Sequence, residues 1–236
     1  MSVFRFKQFA VNQSGCAMKI NTDGVLLGAM ATTVPRGRIL DVGTGTGVIA
    51  LMLAQRCPSV RIDALEIDAE AAETARRNFA ESPFRERLTA YAAGLGAFEP
   101  DGVYDLIVSN PPFFLDSLRN DDVRKGMARH TDFHFFDELL ARAQRWLTPT
   151  GRLEVILPLP LADRVVGKAA SNHGLVLQSS VTVRSFPSGQ PIRRVLFLGR
   201  EPAPGVKTDI GFVIYERRGV YSEAYRRLLQ PFFLAF

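Results

Sequence analysis

Residues 38–47 read RILDVGTGTG, an apolar run followed by a glycine-rich loop. Its first half, residues 38–42, is a short apolar run that predicts a buried strand. Glycine then takes every second position up to residue 47, and the alanine- and leucine-rich residues 48–56 predict a helix. Because glycine has no side chain, its backbone can turn sharply and approach a ligand closely. Strand, glycine loop and helix in this order are typical of a nucleoside-binding turn in a parallel sheet.

The alternation of strand-like and helix-like runs continues along the chain. Strands are predicted at residues 60–66, 88–92, 104–108 and 153–157, and helices at residues 69–79, 135–147 and 161–173. Strands alternating with helices at this spacing form parallel βαβ units. Three strand-like segments without intervening helices follow, at residues 176–184, 193–198 and 210–215, before a last helix at residues 221–229. We therefore predict a doubly wound, Rossmann-like α/β fold whose mostly parallel sheet has an antiparallel C-terminal edge.

Length and composition predict one domain. The 236 residues, 47% of them apolar, suffice for one large core, and no linker or repeat divides them. We expect a single domain over residues 1–236, with residues 1–35 as an N-terminal extension capping the cofactor site and residues 36–236 as the Rossmann-like core. No apolar stretch is long enough for a membrane helix and the N-terminus lacks a signal-peptide pattern, so we expect a cytoplasmic protein without membrane partners.

Charge and cysteine content restrict the partners. The net charge is +5, which favours a polyanion such as a nucleic acid. Two cysteines, far apart in sequence, exclude a disulfide framework and a four-cysteine zinc site. His130 and His134 are four residues apart but lack the glutamate of a zinc-protease helix. We therefore expect no metal. The sequence gives no oligomeric state and is compatible with a monomer.

Two carboxylates accompany the glycine loop. Glu66 ends the next predicted strand, where a carboxylate can accept hydrogen bonds from both hydroxyls of a ribose. The loop spacing is G-x-G-x-G, whereas dinucleotide enzymes have G-x-G-x-x-G to hold a pyrophosphate at a helix N-terminus. Asp41, at the start of the loop, suits a cationic ligand better.

The run DVGTGTG at residues 41–47 resembles the first motif of class I methyltransferases. The resemblance implies S-adenosylmethionine as the cofactor and the seven-stranded sheet of that fold. The residues expected to bind the cofactor here are Asp41, Gly43, Thr44, Gly45, Gly47, Glu66 and Ile67.

A second motif follows the predicted strand at residues 104–108. Residues 109–113 read SNPPF, at the carboxyl end of a central strand, where ligands bind in such sheets. The lone pair of an adenine or amide NH2 is delocalised, so the group is a poor nucleophile. The Asn110 carboxamide oxygen and the Pro111 carbonyl can both accept hydrogen bonds from it, which orients it and favours the positive charge that develops on nitrogen. Pro111 and Pro112 stiffen the loop, and Phe113 can stack on a flat base.

Asn-Pro-Pro-Phe resembles the fourth motif of amino-methyltransferases, which act on adenine, guanine, cytosine or glutamine amino groups. Together with KINTDGVLLG at residues 19–28 and YSEAY at residues 221–225, both motifs resemble the bacterial tRNA-Val adenine-N6 methyltransferase family along nearly the whole chain. The resemblance implies methylation of the tRNA adenine on the 3′ side of the anticodon. It also implies that Lys7, Thr22 and Asp23 cap the cofactor pocket.

A polar segment beyond the second motif is a candidate for substrate binding. It carries Arg119, Arg124, Lys125 and Arg129, which could meet tRNA phosphates. Asp121 and Asp122 interrupt these cations, so a solvated loop is the alternative. Pairs of arginines at residues 193–194, 217–218 and 226–227 can extend the basic surface or merely occupy exposed faces.

Three other functions remain open from the sequence. The chain could methylate a protein glutamine amide, which needs no large basic surface. It could methylate an exocyclic amine of rRNA or DNA, or be a silent RNA-binding module that kept the fold. The chain departs at one point from the methyltransferases that it resembles, many of which have an acid after the third strand that contacts the cofactor's adenine. Residues 91–95, YAAGL, lack that acid, and we expect backbone groups of Ala93 and Gly94 to replace it.

Overall fold

The computed structural model of the chain contains an eight-stranded sheet. It describes residues 3–112, 125–202 and 209–236, and for residues 125–132 it describes the backbone alone. The strands are β1 (Val3–Arg5), β2 (Ala10–Asn12), β3 (Gly37–Val42), β4 (Val60–Glu66), β5 (Leu88–Ala92), β6 (Tyr104–Ser109), β7 (Leu147–Leu157), β8 (Val176–Arg184), β9 (Pro191–Gly199), β10 (Asp209–Val213), β11 (Tyr215–Arg217) and β12 (Val220–Tyr221). The helices are α1 (Thr22–Met30), α2 (Val48–Arg56), α3 (Ala69–Ala80), α4 (Lys125–Trp146), α5 (Leu159–His173) and α6 (Glu223–Leu229).

The strand order of the large sheet is β10-β8-β9-β7-β6-β3-β4-β5. The five strands from β7 to β5 are mutually parallel, and β9 is antiparallel to both of its neighbours, β7 and β8. The expected doubly wound α/β class is confirmed. Two details differ: the sheet has eight strands rather than seven, and its outermost C-terminal strand, β10, pairs with β8 in parallel. The reversed strand β9 is therefore inside the sheet.

The central strands are buried on both faces because alternate residues pack into two different clusters. Ile39 and Leu106 belong to the cluster that also contains residues of α1, α2 and α6. Leu40 and Ile107, their neighbours in sequence, belong to the cluster that contains residues of α4 and α5. This two-sided burial is what the continuous apolar runs of β3 and β6 indicate. It fixes the register of the strands and so fixes which loops meet at their carboxyl ends.

Two boundaries differ from the expected ones by more than three residues. Helix α4 begins at Lys125 rather than at residue 135, and β7 begins at Leu147 rather than at residue 153. The first residues of β7 include Pro149 and Gly151, which favour a turn by composition. Tertiary pairing overrides that preference here, because Leu147 pairs with Tyr104 of β6 across a register shift.

One carboxylate is buried where the N-terminal segment packs against the sheet. Glu154 of β7 is fully buried, and its Oε2 accepts a hydrogen bond from the backbone N–H of Thr32 at 3.0 Å. Its Oε1 has no hydrogen-bond partner among the described residues. Burial raises the pKa of Glu154 to about 7, against the opposing effects of the Thr32 bonds and of Arg152 and Arg56. The residue ties the end of α1 to a central strand and resists ionisation.

The raised pKa makes stability depend on pH with a defined sign. A carboxyl group whose pKa rises on folding stabilises the fold at low pH and loses this contribution as the pH rises through its folded value. Glu154→Gln keeps an acceptor for Thr32 and removes the titration. Between pH 5 and pH 8 we expect the variant to gain about 2–3 kcal/mol of unfolding free energy relative to the wild type. Urea unfolding at the two pH values measures this difference.

The matched control for this experiment is the exposed carboxylate Glu81, changed to Gln. Asp41, whose pKa is also raised to about 7 by burial, is present in all three proteins and cancels in the comparison. If Glu154→Gln and Glu81→Gln follow the wild type in parallel across this pH range, Glu154 does not titrate as described.

Candidate functional site

Three glycines with positive φ shape the loop between β3 and α2. The φ angles are 72° for Gly43, 53° for Gly45 and 81° for Gly47, where an ordinary residue would cost about 1–2 kcal/mol. A Cβ at Gly43 or Gly45 would meet nothing within 4 Å, whereas one at Gly47 would lie 2.5 Å from the Phe79 ring. The first two glycines therefore border open space at the carboxyl end of β3, and the third allows α2 and α3 to pack closely.

Hydrogen bonds from the neighbouring strand and helix hold this loop. The N–H groups of Gly43 and Thr44 both donate to the Leu65 carbonyl at 2.9 Å. The buried side chain of Asn78, on α3, donates to the Thr46 carbonyl at 2.8 Å and to the Asn12 carbonyl at 2.9 Å. Asn78 thereby links the loop to β2 of the N-terminal segment. The sequence analysis did not identify it, since an asparagine inside a helix carries no distinctive local signal.

Asp41 lies beneath the loop and does not face the open space. It is fully buried, and its Oδ2 accepts a hydrogen bond from the Thr44 hydroxyl at 2.6 Å. Burial raises its pKa to about 7, although the Thr44 bond opposes the shift. The sequence suggested that this carboxylate suits a cationic ligand directly. Its geometry shows that it shapes the loop through Thr44, and the direct role toward a cationic ligand stays a prediction.

Glu66 stands at the end of β4, beside the loop. Its Oε2 accepts from the N–H of Gly45 at 2.8 Å, and its Oε1 accepts from the N–H of Asp68 at 3.0 Å. Each carboxylate oxygen has a second lone pair that can accept from a ligand hydroxyl. Next to it, Ile67 is 81% exposed, and its Cδ1 lies 3.3 Å from where a Cβ of Gly94 would be. A large apolar side chain this exposed is an available surface for a flat ligand.

The Asn-Pro-Pro motif leaves the sheet next to the glycine loop. Strand β6 pairs with β3 in parallel, with Ser109 opposite Val42, and the Ser109 hydroxyl donates to the Val42 carbonyl at 2.8 Å. The loop after β3 and the motif after β6 therefore begin at neighbouring points of one edge. Asn110 is 9% exposed, and its Nδ2 lies 3.5 Å from the Oδ1 of Asn21. With the amide nitrogen directed to Asn21, Oδ1 of Asn110 is the atom that can accept from a substrate.

Asn21 is a site residue that the sequence analysis missed. It is the N-cap of α1, and its Oδ1 accepts the backbone N–H of Gly24 at 2.9 Å as well as the amide of Asn110. A Cβ at Gly24 would lie 3.4 Å from Nδ2 of Asn110, so this position keeps the helix close to the motif. An asparagine immediately before a helix is a capping signal. Its second contact, with a residue 89 positions away, has no local signal.

Comparisons with known proteins identify the family. A family model described as the methyltransferase small domain matches residues 19–164. The tRNA1(Val) (adenine(37)-N6)-methyltransferase of Pedobacter heparinus is 47% identical, over 100% of this chain and 99% of the relative. The protein of the same name from Phocaeicola vulgatus is 43% identical, over 98% and 97%. The chain belongs to this methyltransferase family. The family resemblance stated from the motifs is thereby confirmed.

A solved structure shows the same fold at low sequence identity. The chain and a predicted O-methyltransferase from Agrobacterium tumefaciens match with a TM-score of 0.67 and 18% identity, over 89% of this methyltransferase and 96% of the other protein. At this identity the match supports the fold of the methyltransferase and nothing about its substrate.

The three residues expected to cap the cofactor pocket of the methyltransferase lie at three different places in the structure. Lys7 donates from Nζ to the carbonyls of Gln230 at 2.5 Å and Phe236 at 2.8 Å, so it fastens the N-terminal segment to the C-terminal one. These contacts do not bring it to the glycine loop. Asp23, in the first turn of α1, pairs with Arg193 of β9 at 2.6 Å. Thr22 is the first residue of α1, next to Asn21, and so lies near Asn110.

The remaining expected site residues lie partly outside the described residues. Phe113, Arg119 and Arg124 fall in the undescribed segment, and Lys125 and Arg129 belong to α4 by backbone only. Pro111 is buried and Pro112 is exposed. Within the described ranges, no three His, Cys, Asp or Glu side chains converge on a point where a metal could bind. No helix in these ranges is long and apolar enough to cross a membrane.

The glycine geometry predicts two different costs for the same substitution. Gly47→Ala adds left-handed strain and a contact with Phe79 that is too short, so we expect a loss of about 2–4 kcal/mol of unfolding free energy. Gly43→Ala adds the strain alone and should cost about 1–2 kcal/mol. Denaturant unfolding of the two variants checks the order. Equal losses would show that the Phe79 ring moves aside freely and that Gly47 has no packing role.

Proposed function

We propose that this chain transfers a methyl group from S-adenosylmethionine to N6 of an adenine in tRNA, at the position 3′ of the anticodon of a valine tRNA. The observation that carries the proposal is the placement of Asn110 beside the glycine loop, at adjoining strand ends. The names of full-length relatives at 47% and 43% identity support the choice of an adenine in tRNA over a glutamine amide.

The residues around the glycine loop fit the cofactor. Gly43 and Gly45 leave space for its methionine part, and Glu66 offers free lone pairs to the ribose hydroxyls. Ile67 provides an apolar surface against the adenine ring. Asp41 and Thr44 keep the loop in shape from below. When bound, S-adenosylmethionine supplies an electrophilic methyl group on a cationic sulfur.

The edge of the cofactor's adenine has one fewer candidate partner than the sequence suggested. The N–H of Ala93 donates to the Glu66 carbonyl at 2.9 Å and is therefore committed within the protein. We assign the adenine contact to the carbonyl of Ala93 and to the backbone of Gly94, which sits against Ile67. Gly94 fits this role because it lacks a side chain, so the backbone can be reached directly.

We assign the N-terminal segment, residues 1–35, to covering the cofactor pocket of a single domain. Asn78 connects this segment to the glycine loop through Asn12, and Asn21 connects it to Asn110. Covering the pocket would exclude water and strengthen the polar contacts inside it. Lys7 contributes indirectly, by holding the segment to the C-terminal residues.

Asn110 and Pro111 act on the substrate amine. The Oδ1 of Asn110 and the carbonyl of Pro111 accept the two N–H bonds of N6, and the buried Pro111 keeps the second acceptor fixed. As nitrogen becomes positive in the transition state, both hydrogen bonds strengthen. A general base is not required, since the proton of the alkylated, cationic nitrogen can leave to water.

Methylation of a tRNA transcript tests the function directly. Wild-type protein is incubated with labelled S-adenosylmethionine and an unmodified tRNA-Val transcript, and the product is digested to nucleosides. We expect N6-methyladenosine. Asn110→Ala should lower kcat by a factor on the order of 10²–10³, because it removes an acceptor that acts mainly in the transition state.

Calorimetry with S-adenosylhomocysteine separates the assigned role from a general loss of structure. Asn110→Ala should bind it within about twofold of the wild type, since Asn110 contacts the amine and not the cofactor. Loss of this binding would remove Asn110 from the catalytic role. A methylated guanine, cytosine or protein amide as the product would overturn the substrate assignment.

Asn21 is a positioning residue in this mechanism. Two of its variants should distinguish its role as the N-cap of α1 from its role in orienting the side chain of Asn110. Asn21→Ala removes the acceptor that holds the amide of Asn110, so we expect kcat to fall about tenfold with the KM for tRNA nearly unchanged. Asn21→Asp keeps both the helix cap and the acceptor and should restore most of kcat. If Asn21→Asp is as slow as Asn21→Ala while both unfold at the same temperature, Asn21 does not act through Asn110.

A further inference from the structure

The parallel strands of the large sheet end on one side of it, which we call the carboxyl edge. This edge continues well beyond Asn110, in the direction away from the cofactor residues. Strands β8 and β10 are parallel to each other, with Arg184 opposite Val213, and β9 begins at Pro191 opposite Arg184. The turn from β8 to β9 and the chain leaving β10 therefore emerge at one edge. Leu157, the last residue of β7, pairs with Arg194 of β9, so this is the same edge at which β7 and β6 end.

A rigid group of aromatic rings occupies that edge. The N–H of Ile214 donates to the Arg184 carbonyl at 3.0 Å, and the N–H of Tyr215 to the Ser185 carbonyl at 2.9 Å. These bonds join the β11–β12 hairpin to the β8–β9 turn. The Phe186 and Tyr215 ring centroids are 5.6 Å apart, and those of Tyr215 and Tyr221 are 5.0 Å apart and stacked.

The same hairpin presents positive charge. Arg217 and Arg218 are exposed, and neither forms an ion pair with any described residue. Two arginines of the neighbouring strand β9 differ: Arg193 is paired with Asp23 and Arg194 with Asp163, each at 2.6 Å. Phe186 is 38% exposed beside them. We call Phe186, Tyr215, Tyr221, Arg217 and Arg218 the hairpin patch. Exposed Glu216 is the one acid within its strand β11.

The patch is fixed relative to the site. Arg193 on β9 pairs with Asp23 in the first turn of α1, and the N-cap of that helix contacts Asn110. Strands in a sheet are about 4.8 Å apart, so the β8–β9 turn lies roughly 10–14 Å from β6 along the edge, and β10, which leads into the hairpin, lies roughly 19 Å from it. The patch is therefore outside hydrogen-bonding distance of the Asn110 side chain. It lies at a suitable distance for contacting the backbone of neighbouring nucleotides.

We propose that the hairpin patch binds the sugar-phosphate backbone of the tRNA outside the methylated nucleotide, with Arg217 and Arg218 on phosphates and the exposed Phe186 ring against a sugar or base. The inference rests on the proposed function, since it takes tRNA as the substrate. Unpaired guanidinium groups suit phosphate oxygens, and a partly exposed ring held by its neighbours can stack at little entropic cost. The positive net charge of the chain matches such a partner.

A charge-matched pair of double variants tests the patch. Arg217→Ala with Arg218→Ala removes both of its charges. Arg61→Ala with Arg85→Ala removes two exposed arginines on the side of the sheet where the parallel strands begin. Arg61 lies near the amino end of β4, and Arg85 lies before β5. Binding of an unmodified tRNA-Val transcript is measured by filter binding at several salt concentrations, without cofactor.

We expect the patch variant to bind tRNA about tenfold more weakly at 0.1 M salt, and its salt dependence to correspond to about two fewer phosphate contacts. The control variant should stay within about twofold of the wild type. Equal weakening in both would show that net charge, not the patch, attracts the tRNA, and no weakening in either would also overturn the inference. Unchanged thermal unfolding of both variants shows that the fold is kept.

Turnover measurements distinguish this inference from the proposed function. With tRNA the patch variant should show a KM raised about tenfold and an unchanged kcat, since the patch lies outside the reacting groups. If the wild type makes no N6-methyladenosine, the proposed function fails, whereas the binding comparison still decides the patch. If the wild type methylates tRNA and the patch variant matches the control in KM, the patch alone is refuted.

Discussion

The pairing of β3 with β6 is the constraint on which the site depends. These strands run parallel as neighbours, and the Ser109 hydroxyl bonds to the Val42 carbonyl at their carboxyl ends. Because β3 and β6 are parallel neighbours, the glycine loop and Asn110 emerge side by side at the strand ends. A cofactor bound at the loop and a substrate bound at Asn110 then meet without any induced rearrangement of the sheet.

Buried polar groups give the site its shape at the cost of stability. Asp41 and Glu154 are both fully buried, both have pKa values raised to about 7 by that burial, and each has one oxygen without a partner among the described residues. Their positions show what these costly groups do in the fold. Asp41 supports the loop through Thr44, and Glu154 holds the segment after α1 against β7. Both carboxylates therefore fix backbone that lies close to the site, which an apolar replacement could not do.

Local sequence patterns predicted most of the helices and strands and identified the two motifs. The bounds of α2, β4, β5 and β8 agree with the sequence residue for residue, since each has an uninterrupted periodic or apolar run. Contacts between distant residues were not predictable in this way. Lys7 is an example: the family resemblance implied a place at the cofactor pocket, whereas its ammonium group binds the carbonyls of Gln230 and Phe236. Asn21 and Asn78 also act through partners that are remote in sequence, so no local pattern marks them.

The reversed strand β9 explains how one sheet edge can serve both cofactor and a large substrate. In a purely parallel sheet each strand end at this edge is followed by a helix that leaves it, so only single loops lie there. Here β9 runs the opposite way, so the end of β8 and the start of β9 are joined by a short turn at the edge itself. Strand β10, parallel to β8, then delivers the β11–β12 hairpin to the same place. Within the described residues, the loops after β3 and β4 lie on one side of Asn110, and the β8–β9 turn and the β11–β12 hairpin lie on the other, beyond the end of β7. The antiparallel strand is therefore what brings a turn and a hairpin to the side of the sheet on which the proposed tRNA contacts lie.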